Sequence, residues 1–139
     1  MKRKAQCCCG ACEVEVKGDP TLYALCNCNN CKKRTGSAFG LSAYFDKKDF
    51  LVISGKTYIY PVENTQGKQQ RHFCQHCGTT LFWFADVFGG FVGIAGGCFV
   101  DDPLSMPTVS AMPENQCSWF SLNDTIKQGF ELEDIPEEL

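Results

Sequence analysis

Seven of the eleven cysteines in this 139-residue chain stand in three tight clusters: Cys7-x-Cys9-Gly10, Cys26-x-Cys28-x-x-Cys31 and Cys74-x-x-Cys77-Gly78. Thiolates this closely spaced chelate soft metal ions. The two pairs together supply four sulfurs, and a closed four-ligand zinc site is structural. The middle cluster supplies three, which leaves one coordination position for a reactant, as in catalytic sites. An all-sulfur donor set favours zinc over magnesium, calcium or manganese. Two rival readings remain at this point. Cys8, Cys12, Cys98 or Cys117 can complete a second closed site, or the thiolates can hold an iron–sulfur cluster, although the runs of four cysteines typical of such clusters are absent.

The open three-thiolate site has a specific chemistry. A small thiol entering it is held as thiolate at neutral pH and adds to an aldehyde carbonyl, giving a hemithioacetal. Hydrolysis by a metal-bound hydroxide is less favoured, because three thiolates leave the ion net negative and weaken it as a Lewis acid. Neither histidine competes as a ligand. His76 lies inside the Cys74–Cys77 turn with its side chain directed away, and His72 is not needed by a four-cysteine set. Asn27, Asn29 and Asn30 are poor zinc ligands. The isolated Cys8, Cys12, Cys98 and Cys117 read as small buried apolar residues. No Gly-rich phosphate loop, serine nucleophile elbow or zinc-protease helix motif occurs.

Short strands must position these side chains. In a strand, Cys7 and Cys9 share a face while Cys8 points the other way. Cys74 and Cys77 fit a tight turn closed by Gly78 at positive φ. Strand signals run through Cys12–Val16, Phe39–Phe45, Phe50–Ile53, Thr57–Tyr60, Thr79–Phe84 and Phe91–Ala95, separated by turns. Asn29 to Arg34 reads as a short helical turn. The pattern predicts one mainly β domain over residues 1–139, with an acidic, loosely held tail from Asp124 to Pro136-Glu137-Glu138-Leu139.

Charge and composition exclude other classes. Net charge is −3 with 44% hydrophobic residues, which predicts a folded, soluble protein that binds neither nucleic acid nor membrane. The basic runs Lys2-Arg3-Lys4 and Lys32-Lys33-Arg34 read as solvated surface charge, with phosphate binding by Lys32–Arg34 as the rival. No apolar run nears the roughly 20 residues of a membrane span. An odd cysteine count and the absence of a signal peptide argue against a disulfide scaffold and predict a cytoplasmic location.

Cys7-Cys8-Cys9-Gly10-Ala11, the run from Cys26 to Phe39 containing Arg34-Thr35-Gly36-Ser37, Phe73-Cys74-Gln75-His76-Cys77-Gly78, Val100-Asp101-Asp102-Pro103 and the late Trp119 carry a family pattern. The chain resembles the glutathione-dependent formaldehyde-activating enzyme family, which includes centromere protein V. The resemblance implies an Mss4-like, zinc-stapled β-sheet domain with few short helical turns. It implies a structural zinc on Cys7, Cys9, Cys74 and Cys77, and a catalytic zinc on Cys26, Cys28 and Cys31. The implied activity is that of a carbon–sulfur lyase or synthase joining a small thiol such as glutathione to a small aldehyde, as in S-hydroxymethylglutathione. Phe39 and Trp119 are then candidates for pocket walls, and Asp101 or Asp102 for a proton relay. The alternative is a non-catalytic zinc-binding module that docks a protein partner.

Overall fold

The computed structural model describes residues 1–65 and 67–130. These residues form a mainly β architecture with one short α-helix, as the sequence predicts. Strands β1 (Lys2–Gln6), β2 (Glu13–Lys17) and β5 (Phe50–Ser54) make a three-stranded antiparallel sheet with β2 in the middle. The second sheet holds β3 (Leu22–Cys26), β4 (Gly40–Asp46), β6 (Thr57–Asn64), β7 (Gly67–Cys74), β8 (Thr80–Ala85), β9 (Phe91–Ala95), β10 (Val109–Ala111) and β11 (Lys127–Gln128). Its order is β11-β10-β3-β4-β9-β8-β7-β6. Only β10 pairs in parallel, with β3 and with β11. The helix α1 (Asn29–Thr35) connects β3 to β4.

Both faces of the central strands are buried. Because strand side chains alternate, β4 sends Ala43 and Phe45 to one face and Tyr44 to the other. On the first face they join Ala5, Val14 and Val16 of the small sheet with Leu81, Val92 and Ile94 in one apolar cluster. Each large aliphatic or aromatic side chain buried there contributes about 1.5–3 kcal/mol. On the second face Tyr44 packs with Leu22, Trp83, Phe91 and Val109. That face carries the candidate site.

Several elements differ from the reading of the sequence. β1 and β7 are strands despite their polar composition. In β1, Lys2 and Lys4 pair with Glu15 and Glu13 across the ladder, and Arg3 with Asp19. Cross-strand ion pairs thus replace an apolar signal. Cys7 to Gly10 form a turn beyond the end of β1 rather than a continuous strand. The start of the acidic tail is held: Ile126 is buried, and β11 adds to the sheet edge through β10. Pro136 to Leu139 lie outside the described residues. Among the described residues no helix is long and apolar enough to cross a membrane.

Gly93 of β9 lies between Tyr44 on β4 and Trp83 on β8. A Cβ at position 93 would overlap the Trp83 indole. The missing side chain lets the indole lie across β9, where its Nε1 donates to Tyr44 Oη at 3.3 Å. Gly93→Ala is expected to displace Trp83 and lower stability by about 1–3 kcal/mol, the usual cost of overpacking. A lower denaturant midpoint with altered fluorescence of buried Trp83 checks this.

Candidate metal centre

Two knuckle-like turns face each other across the two sheets. In the first, Gly10 N–H donates to Cys7 O and Cys7 N–H to Cys12 O, both at 3.0 Å. In the second, Gly78 N–H donates to Cys74 O and Cys74 N–H to Thr79 O, both at 2.9 Å. Gly10 and Gly78 take matching φ values of 80° and 79°, a left-handed conformation that suits glycine. Backbone N–H groups point at the sulfurs: Cys12 N–H lies 3.2 Å from Cys7 Sγ and His76 N–H 3.3 Å from Cys74 Sγ. Thr79, through its hydroxyl and then its N–H, holds the Cys77 thiol down to about 5.

All four sulfurs of Cys7, Cys9, Cys74 and Cys77 lie within 4.8 Å of one another. Cys7 Sγ to Cys9 Sγ is 3.6 Å and Cys9 Sγ to Cys74 Sγ is 3.8 Å. A tetrahedron with metal–sulfur bonds of about 2.3 Å has edges of about 3.8 Å. The donors fit a tetrahedral metal ion.

The second group forms where β3 runs into α1. Cys26 is the last residue of β3, paired with Gly40 of β4 and Ala111 of β10. Asn27, fully buried, donates through Nδ2 to Ser110 Oγ and Ala111 O, both at 2.9 Å. That anchorage turns Cys26 and Cys28 toward a common point. Cys28 caps α1, its Sγ accepting from Cys31 N–H at 3.3 Å. The sulfurs of Cys26, Cys28 and Cys31 also lie within 4.8 Å of one another. Donation from Cys26 and Cys31, then from the Cys31 and Asn30 N–H groups, holds Cys28 down to about 2. Hydrogen bonding to Cys28 and then to Cys31, followed by burial, pushes the Cys26 thiol up. Cys31 is pushed up as well, so of the three sulfurs Cys28 is the one the fold holds as thiolate, a donor that suits a soft cation.

Arg34-Thr35-Gly36-Ser37 shapes the end of this helix. Gly36 takes the left-handed cap and donates to Lys32 O at 2.8 Å, while Thr35 Oγ1 donates to Cys31 O at 3.0 Å. Arg34 then lies over the Trp83 ring, 4.5 Å from its centroid. Lys32 donates to Asn115 O. The basic run is therefore not simply solvated: Lys32 and Arg34 are half-buried and tied to the fold.

The three cysteines open onto a cavity of about 760 Å³ also lined by Arg34, Tyr44, Gln69, Arg71 and Trp83. Burial pushes the Tyr44 hydroxyl up to about 12. Phe39 and Trp119 do not line this cavity; each packs on Phe120 instead, and Trp119 is 75% exposed. Asp101 and Asp102 are exposed and lie outside it as well. His72 stacks on Phe82 and hydrogen-bonds Thr57, and neither histidine joins a metal-ligating group among the described residues. Cys8, Cys12, Cys98 and Cys117 add no fourth ligand to the open group. Cys12 is buried as expected, but Cys8 is exposed.

The glutathione-dependent formaldehyde-activating enzyme family model matches residues 2–115. The chain belongs to that family. Similar chains bearing the family's name include one from Fusarium vanettenii, 27% identical over 130 residues, covering 94% of this chain and 66% of the relative. Another, from Halomonas elongata, is 28% identical over 128 residues, covering 88% of this chain and 82% of the relative. A third, from Aspergillus flavus, is 27% identical over 117 residues, covering 84% and 58%. The chain thus spans less than two thirds of the length of these fungal family members. A crystal structure of a Rhodobacter sphaeroides protein shares the fold, with TM-score 0.56 and 22% identity over 70% of this chain and 87% of that one. The family match contains all seven clustered cysteines.

Tyr44, Trp83 and Arg71 were not legible as site residues. Their partners come from strands far apart in sequence, and only their place on one sheet face reveals them.

Proposed function

We propose that the chain is a zinc-dependent carbon–sulfur lyase or synthase acting on small thiol–aldehyde adducts resembling S-hydroxymethylglutathione. In this reading residues 1–139 form one Mss4-like domain of the cytoplasm, where eleven free thiols suit a reducing medium. Cys7, Cys9, Cys74 and Cys77 hold a structural zinc that staples the two sheets. Cys26, Cys28 and Cys31 hold the reactive one. The observation that carries the proposal is the opening of the three-cysteine group onto a ligand-sized cavity. A non-catalytic docking module has no use for that cavity.

When bound, the second zinc would supply a positive centre that keeps a thiol sulfur as thiolate at neutral pH. The chain's own residues do the rest. Arg34 offsets part of the thiolate charge from its seat on Trp83. Tyr44 Oη accepts from Trp83 Nε1, which leaves its own O–H free to donate. As the sulfur–carbon bond forms, the carbonyl π electrons move onto oxygen, and Tyr44 gives that oxygen a proton. The proton lost by the thiol restores the phenol. Adduct cleavage runs the same steps in reverse.

Zinc-loaded protein should accelerate exchange between free formaldehyde and its glutathione adduct, measured by NMR; a rate equal to the uncatalysed one overturns the proposal. Tyr44→Phe is expected to lower kcat about 100-fold with little change in KM. An unchanged kcat removes Tyr44 from the proton path.

A further inference from the structure

The cavity beside the three cysteines is longer than a one-carbon reactant needs. Cys26 and Leu22 both line it, and they stand four positions apart on β3, about 13 Å along the strand. Between them Ala24 and Ser42, partners across β3 and β4, line the same floor. Their small side chains leave the path open from the sulfurs to Tyr44. There Leu22 pairs with Tyr44 across the ladder, and the Phe88 ring stacks on the phenol with centroids 4.2 Å apart. Ala85, beyond Trp83 on β8, and Val87 in the helical turn that follows complete an apolar end. Gln69 of β7 pairs with Ala85, but its Oε1 is engaged by Arg71 Nε at 2.8 Å.

An apolar wall favours an apolar guest in proportion to the area removed from water. A cavity of about 760 Å³ is in the range that encloses drug-sized ligands, far more than a one-carbon carbonyl compound fills. Position decides which reactant uses the apolar end. With the thiol sulfur at the cysteines and the carbonyl oxygen at Tyr44 Oη, the remaining substituent on the carbonyl carbon faces Leu22 and Phe88. Formaldehyde has only hydrogen there and leaves this end to water.

We propose that Leu22, Tyr44, Ala85, Val87 and Phe88 form a pocket for an apolar substituent on the carbonyl reactant, so that the preferred substrate is an aldehyde bearing an alkyl or aryl group. This deepens the proposed function and rests on its placement of the sulfur and the carbonyl oxygen.

Trp83 borders the pocket and can report its filling. In a Trp119→Phe background it is the sole tryptophan. Fluorescence titration of that zinc-loaded protein uses the unreactive primary alcohols from propanol to hexanol as probes of the aldehyde chain. Affinity is expected to rise about three- to fourfold per methylene. Ala85→Leu fills the far end and should weaken hexanol about tenfold or more, while propanol changes less than about threefold. Comparing long with short alcohols inside each variant cancels any general folding defect. In the exchange assay with glutathione, kcat/KM should rise about tenfold or more from acetaldehyde to hexanal, and Ala85→Leu should remove the rise. Affinity that is flat with chain length, or an equal rise in Ala85→Leu, overturns the pocket. A flat kcat/KM series in an active enzyme overturns its assignment to the carbonyl reactant. Chain-length-dependent binding of alcohols by a protein without exchange activity supports the pocket while overturning the catalytic reading.

Discussion

Cys74→Ser is expected to lose one zinc per chain and to unfold at least about 10 °C below the wild type. Cys74 ends β7 in the eight-stranded sheet, whereas Cys7 and Cys9 lie in the turn that follows β1 of the three-stranded sheet. Cys9 and Cys74 are 65 residues apart, so a metal joining them closes a long loop and contributes directly to folding. Serine leaves a neutral hydroxyl in a buried sulfur site, and backbone donors such as His76 N–H lose their anionic acceptor. Thermal unfolding with metal analysis checks the outcome, and a chelator should reproduce it in the wild type. Retention of two zinc ions at an unchanged Tm would sink the staple.

The opposite pattern is expected at the other centre. Cys28→Ser should abolish exchange activity, by about 10³-fold or more, while the Tm falls only a few degrees. Serine is itself a good N-cap, so its hydroxyl can take over acceptance from Cys31 N–H and α1 survives. What it cannot supply is the thiolate. One zinc should remain, held by the four-cysteine group. Activity that persists in this variant would place the reactive centre elsewhere.

The contrast between these variants follows from where the two groups sit. One lies at the edge of the apolar space between sheets, with Cys7 and Cys74 buried among Ala5, Val14 and Leu81 while Cys9 and Cys77 face solvent. The other lies at the mouth of a cavity on the far face, where Tyr44 and Trp83 are the neighbours. Loss of the first uncouples two layers. Loss of the second empties a pocket.

Much of this was legible from local pattern. β4, β8 and β9 announce themselves as apolar runs, and α1 starts within the second cysteine cluster, capped by Cys28 and ended by Gly36. The expected strand at Cys7–Cys9 is a turn because Gly10 adopts positive φ and lets its N–H reach back to Cys7 O. β7 escaped notice because its run Lys68-Gln69-Gln70-Arg71 is polar on both faces, with Gln69 and Arg71 lining the cavity and Gln70 exposed to solvent. Phe39 and Trp119 looked like pocket walls by composition, yet aromatic packing on Phe120 takes them elsewhere.

The sequence by itself singled out the seven clustered cysteines, which the structure gathers into one group of four and one of three, each with its sulfurs within 4.8 Å of one another. Chelation is a local property: two or three thiolates must lie within a few residues of one another to meet a single ion. Only the tertiary structure decided what surrounds the open set. Arg34, Tyr44, Arg71 and Trp83 come from α1 and three different strands, and they converge because sheet pairing across β4-β9-β8-β7 places them on one face. Contacts of that range leave no spacing signal in the chain, since they depend on strand order and register.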